Sequence, residues 1–190
     1  GFVWVNDKFT TNLFAHPYHG SLYYNAARSN NLSFWQSLPY ALGGSLMWEF
    51  MGEVEPPAIN DVMATTMGGI CFGELSHRIS HLLLDDSSRG FQRFLREFGA
   101  TLVNPIGGFN RLITGKAWHI KRQYHKYHDY EALPIDLSIS SGIRYLADNG
   151  AMFRGDYNAF MNVFLEYGDH LNEATTKPYD FFSLEAMFGI

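Results

Sequence analysis

The sequence predicts an α+β fold in which a helical N-terminal domain is followed by an antiparallel β-meander. Three observations predict it. Through about Gly115 the punctuation is helical, with capping residues ahead of apolar runs. From about Leu133 the apolar period changes from 3.6 to 2. The composition is that of a chain with a sizeable core: 190 residues, 46% hydrophobic, 17% charged and 16% aromatic.

Residues 1–11 read as an extended segment and residues 12–115 as the helical domain. A short helix is expected over about Gly20 to Ser29. The string His16-Pro17-Tyr18-His19 reads as an extended corner ahead of it, because proline disfavours helical geometry in the residue before it. Ser33-Phe34-Trp35-Gln36 has the pattern of a capping box, opening a helix to about Gly52 that Glu55-Pro56-Pro57 ends. Asn60 suits the N-cap of a helix from Asp61 to about Leu84, with Asp61 favourable in its first turn. Asp86, Ser87 and Ser88 can cap a third long segment to about Phe98, and Asn104-Pro105 opens a short fourth. Gly69 and Gly73, one helical turn apart, would let a neighbouring helix approach closely.

Residues 116–132 form a basic, aromatic linker, with Lys116, Lys121, Arg122 and Lys126 interleaved with Trp118, Tyr124, Tyr127 and Tyr130. Such a stretch suits either a membrane surface or a solvated connection. Residues 133–190 alternate. Ile135, Leu137, Ile139, Ile143 and Tyr145 share one face, then Ala159 to Tyr167 and Phe182 to Ile190 repeat the pattern, with polar connections at Ala147 to Tyr157 and Gly168 to Pro178. Strands of this length, alternating and ending in aromatics, suit an outer-membrane-type barrel or a larger sheet packed on helices. Three strands cannot close a barrel, so the meander is expected to be part of a larger sheet.

A formal net charge of −5 argues against nucleic-acid binding, which needs a cationic face. The single cysteine, Cys71, allows neither an internal disulfide nor a thiolate metal site. The first residues, Gly1-Phe2-Val3-Trp4, lack the basic and apolar regions of a signal peptide, as expected of a mature or an engineered start. No cofactor motif is present, and none is expected.

Two constellations could carry chemistry. Glu49 and Glu53 are four apart, so on a helix their carboxylates share an otherwise apolar face, where each needs a partner. Arg28 and Arg78 are the obvious partners, and Glu74 with Arg78 is a further i,i+4 pair. The alternative is an acid/base or metal centre of Glu49, Glu53, Asp61 and Glu74. Glu74, His77 and His81 have ligand spacing on one helical face, though such a site would draw further carboxylates from Glu49, Glu53 or Asp61. The competing reading is ordinary hydrogen-bonded histidines.

The ordered strings Asn12-Leu13-Phe14-Ala15-His16-Pro17-Tyr18-His19-Gly20, Ala26-Ala27-Arg28-Ser29, Gly44-Ser45-Leu46-Met47-Trp48-Glu49, Gly52-Glu53, Asn60-Asp61, Gly68-Gly69 and Gly73-Glu74 resemble a bacterial envelope family described as a domain of unknown function. Lys177-Pro178-Tyr179-Asp180-Phe181-Phe182 is similar to a late segment of that family. The Glu49, Asp61 and Gly68-Gly69 pattern is also loosely similar to VanZ-like envelope proteins. The resemblance implies export to the outer membrane or periplasm, a helical front region and a barrel-like rear, and it implies no activity.

The function expected is therefore a structural or small-molecule/lipid-binding component of the bacterial outer envelope, its activity unknown, with Arg28, Trp48, Arg78, His16 and Tyr18 as binding residues and a lipid or other small apolar ligand as partner. The alternative is an envelope enzyme acting on a lipid or glycan through the carboxylates.

Overall fold

The structure, a computed structural model, describes residues 2–4, 8, 11–54, 56–120, 134–148, 151–169, 171 and 177–189. It divides into a helical unit, Gly1–Asp129, and a sheet unit, Tyr130–Ile190. The α+β order of the sequence reading holds. Most of the basic, aromatic stretch, from Lys121 to Tyr130, lies outside the described residues.

In the helical unit a π turn, Thr11–Ala15, runs directly into α1, His16–Arg28. The helix thus starts earlier than expected, and His16-Pro17-Tyr18-His19 is its first turn rather than an extended corner. Pro17 fits there because the first amides of a helix have no intrahelical acceptor, so its missing N–H leaves nothing unpaired. Helix α2, Phe34–Met47, opens with the capping box: Gln36 N–H donates to Ser33 Oγ, and Ser33 N–H donates to Gln36 Oε1. It continues through a π turn, Trp48–Gly52.

The next helical run is α3, Ile59–Met63, a π turn, Ala64–Gly68, and α4, Gly69–Leu83. Asn60 is not its cap. Ala58 holds that position without a side-chain bond, and Asn60 instead donates to Asp61 Oδ1 at 2.7 Å. Helix α5, Gly90–Val103, starts after Arg89, so Asp86, Ser87 and Ser88 form a turn ahead of it in which Asp85, not Asp86, accepts from Ser87 N–H. Helix α6, Pro105–Ile113, begins as read, with Asn104 Oδ1 accepting from Gly107 N–H.

Helices α1 and α4 pack backbone to backbone. A Cβ on Gly69 would stand 2.6 Å from Gly20 Cα, and one on Gly73 would meet the Tyr24 ring at 2.6 Å. The small residues therefore let two helices approach closely enough for their polar side chains to bond across the contact. What they bury is unusual for a water-soluble bundle. Ser21, Asn25, Arg28, Ser37, Glu74 and Arg78 are inside, whereas Phe14, Trp35, Phe50, Met51, Phe91 and Phe94 are outside. No helix among the described residues is long and apolar enough to cross a membrane.

The sheet has strands β1, Ile135–Asp148, β2, Ala151–Tyr167, and β3, Phe182–Gly189, paired antiparallel in that order and not closed into a barrel. The first hairpin is longer than expected, because β1 and β2 run through the segment from Ala147 to Tyr157 that reads as a polar connection. Ile135 pairs with Tyr167, Leu137 with Leu165, Ile139 with Val163 and Tyr145 with Tyr157, and on the other side Leu165 pairs with Leu184 and Met161 with Phe188. This register puts Ile135, Leu137, Ile139, Ile143, Val163, Leu165, Leu184 and Phe188 on one face, as the period of two requires, while the other face is mixed, with Asp136, Arg144, Glu166 and Glu185 beside Leu146, Phe160, Phe164 and Met187.

Candidate functional site

The side chains singled out by the sequence separate into two clusters within the helical unit. The first surrounds Glu74 of α4, which is fully buried. Arg28 Nε donates to its Oε2 at 2.8 Å and Nη2 to its Oε1 at 3.1 Å, while Arg78 Nε donates to Oε1 at 2.9 Å. The Tyr24 hydroxyl donates to Oε2 at 2.8 Å, and Arg28 Nη1 also donates to the Leu32 carbonyl. Both oxygens of Glu74 are thus engaged by charged and phenolic donors, which is what makes a buried carboxylate tolerable. The expected network of five charges is corrected here: Arg28, Glu74 and Arg78 form it, and Glu49 and Glu53 lie elsewhere. His77 and His81 follow on the same helix, their rings edge to face at 4.4 Å.

The second cluster holds the remaining carboxylates. Glu49, Glu53 and Asp61 bring one oxygen each within 4.8 Å of one another, and Glu49 and Asp61 are buried. Ala58 N–H donates to Glu49 Oε2 at 2.9 Å, and Trp48 Nε1 donates to Glu53 Oε1 at 2.9 Å. His16 Nε2 stands 3.5 Å from Asp61 Oδ1, and its Nδ1 is 3.1 Å from Thr65 Oγ1. The His19 ring meets Trp48 edge to face at 4.6 Å, and its Nε2 lies 3.2 Å from the Tyr23 hydroxyl. Tyr18, read as a binding residue, is exposed on α1.

Local backbone geometry brings these groups together. The π turn Thr11–Ala15 immediately precedes His16, the π turn Trp48–Gly52 contains Glu49 and precedes Glu53, and the π turn Ala64–Gly68 contains Thr65 and follows Asp61 by a few residues. A π turn inserts a residue and re-aims the side chains beyond it, and such turns recur at functional sites. Sequence periodicity at 3.6 does not reveal them.

Electrostatics separate the two clusters. Around Glu74, two guanidinium groups face one carboxylate. Around Asp61, three carboxylates face one another, and two of them, Glu49 and Asp61, are buried, where like charges repel. A cation at their centre would relieve that repulsion, and oxygen donors with a neighbouring imidazole suit Mg²⁺, Mn²⁺ or Zn²⁺. Burial lowers the His19 pKa below its ordinary 6.5, the nearby His16 lowers it further, and Glu53 partly opposes both. Burial raises the Tyr23 phenol.

His19, Tyr23, Tyr24 and Thr65 were not among the residues expected to form the sites. The signals for two of them are local: His19 stands one turn from His16, and Tyr24 one turn from Arg28, each on a shared helical face. Thr65 has no such signal.

Residues 1–106 match the family described as Domain of unknown function (DUF3943). The match ends before the sheet unit, so the likeness read at Lys177–Phe182 lies outside the matched residues. No curated protein and no solved structure matches the chain.

Two outcomes follow from the charge arrangement. Glu74→Gln keeps the shape but removes the buried carboxylate that both guanidinium groups engage, so it should lower unfolding free energy by roughly 3–5 kcal/mol in urea denaturation. His19, with its folded pKa below the unfolded value, binds fewer protons when folded. Its contribution to stability is therefore complete above the ordinary 6.5 and declines as pH falls through it toward the lower folded value. NMR titration of the His19 ring should show that Glu53→Gln lowers its pKa further, since the carboxylate that raises it is removed.

Proposed function

The chain belongs to the family described as a domain of unknown function, DUF3943, and we propose that it is a lipid-contacting component of the bacterial outer envelope whose sheet unit presents one face to the hydrocarbon of a membrane. The observation that carries this reading is the spacing of aromatics on the apolar face. Tyr145 and Tyr157 pair across β1 and β2 with ring centroids 4.9 Å apart, and Tyr167 stacks on Phe182 at 5.0 Å. Tyr157 and Tyr167 are ten residues apart on β2. At about 3.4 Å per residue and a tilt of 35–45°, that separates the two aromatic levels by about 24–28 Å along a membrane normal, close to the ~25 Å apolar band of an outer-membrane strand.

Between the two levels the face is apolar, exposed at Leu137 (58%) and Ile139 (66%) and buried at Leu165, next to the buried Tyr167 and Phe182 pair. A contiguous face of this kind is foreign to a monomer in water. The opposite face carries Asp136, Arg144 and Glu166, and Asn162 donates to Glu185 there, as suits water or a lumen. The place of the chain in an outer membrane, and a barrel completed by further strands, belong to this proposal.

The test uses single cysteines at Leu137→Cys and Ser138→Cys in a Cys71→Ser background, reconstituted in vesicles. Position 137 should react with a lipid-soluble reagent and position 138 with a water-soluble one; equal reaction at both would overturn the lipid reading. Ile139→Arg, near the middle of the band, should cost roughly 2–4 kcal/mol of stability in lipid.

A second reading is favoured by the convergence of Glu49, Glu53 and Asp61: a divalent-cation centre acting on an envelope lipid or glycan. Glu74 has no part in it. Calorimetric titration with Mn²⁺ should show stoichiometric binding that is abolished by Glu49→Gln or Asp61→Asn. Because each substitution also relieves repulsion, neither should destabilise the fold as Glu74→Gln does.

A further inference from the structure

Helix α5 is amphipathic with its polarity reversed. Its inner side carries Arg93, 7% exposed, whose guanidinium donates to the carbonyls of Ala117 at 2.6 Å, Lys116 at 2.8 Å and Asp86 at 2.9 Å. Beside it, Glu97 accepts two hydrogen bonds from Arg111, which also donates to Asp86. Burial works against the Arg111 charge, and these two carboxylates outweigh it, raising its pKa. The inner side is thus a satisfied set of charges. The outer side is a stripe of Phe91, Phe94, Leu95, Phe98 and Leu102 at helical spacing, each at least half exposed. Phe91 and Phe94 stack at 6.2 Å, and Phe94 and Phe98 at 6.0 Å, so the stripe is continuous.

In water an amphipathic helix turns such a stripe inward. A helix that buries arginine and exposes a phenylalanine ladder is matched to an apolar solvent instead. The five side chains offer no hydrogen-bonding group, whereas a protein partner would ordinarily engage about one hydrogen bond per 100–200 Å². Acyl chains require none. Fourteen residues extend about 21 Å, too short to cross a ~30 Å hydrocarbon core, so the helix would lie in the plane of the surface. Arg89, exposed at its N-terminus, and Arg96, on its flank, place cations beside the stripe.

We propose that the outer face of α5 is an interfacial docking surface for an anionic lipid layer, with the Phe91, Phe94 and Phe98 ladder among acyl chains and Arg89 and Arg96 at head-group depth. This deepens the lipid reading of the sheet unit but stands on different residues. Binding at this face should strengthen with anionic lipid and weaken with salt.

The experiment uses the full chain with Cys71→Ser and a bimane label at Phe94→Cys, at Leu137→Cys or at the exposed polar control Asn30→Cys. The vesicles are phosphatidylcholine mixed with phosphatidylglycerol and contain brominated acyl chains. Quenching at 94 but not at 30 is the expected result. With Arg89→Ala and Arg96→Ala together, partition read at position 94 should fall about thirtyfold, and an unchanged partition would overturn the assignment to anionic lipid. Quenching at 137 without quenching at 94 overturns this inference and leaves the sheet reading standing. Quenching at 94 without quenching at 137 supports it and removes the sheet reading. A label at 94 that is shielded without lipid, together with concentration-dependent dimers in sedimentation, would assign the face to a second copy and overturn the proposal.

Discussion

The helical unit depends on one buried carboxylate. Glu74 is fully enclosed, and it is tolerable there because Arg28 and Tyr24 of α1 and Arg78 of α4 supply donors to both of its oxygens. The two donors from α1 reach it only because Gly20 and Gly69 bring the two helix backbones into contact, whereas Arg78 reaches it from the next turn of α4. Close approach and ion pairing therefore require each other: a larger residue at the glycine contact would separate the charges, and a missing charge would leave its partners desolvated. An ion triad of this kind adds little net stability over an apolar replacement, but it admits very few alternative arrangements.

That constraint shapes the rest of the unit. With charged and hydroxylated side chains filling the interior, large apolar residues are left outside, Trp35 on α2, Phe50 in the π turn after it and the phenylalanine ladder on α5. The reversal is consistent from helix to helix, which distinguishes it from the scattered exposed apolar residues of any soluble surface. In a hydrocarbon environment helices gain nothing by hiding leucine from lipid, and small residues and polar bonds hold them together instead. The sheet unit has one face of alternating apolar residues bounded by aromatic pairs.

The two clusters of carboxylates illustrate how neighbours in a periodic pattern acquire opposite roles. Glu74 faces cations and is a structural pin. Glu49, Glu53 and Asp61 face one another, with His16 at the edge. Three π turns, each beside one of these residues, aim them at a common point.

The sequence by itself determined what local physics decides. The helix-then-strand order, the Ser33–Gln36 box, the Asn104 cap and the two faces of the sheet follow from periodicity, hydrogen bonding within a few residues and the alternation of strand side chains. Where local signals competed, the helices started earlier than the sequence suggests: α3 begins at Ile59, which puts Asn60 inside its first turn, and His16 lies inside α1 rather than ahead of it. The sequence also marked Glu74 and Arg78 as partners, because they lie one helical turn apart, but it offered Arg28 to Glu49 and Glu53. It could not assign Glu49 and Glu53, since i,i+4 spacing says which residues share a face but not what that face meets. Only the packing of α1 against α4, fixed by glycines dozens of residues apart, chose arginines for Glu74 and left the other three carboxylates to each other.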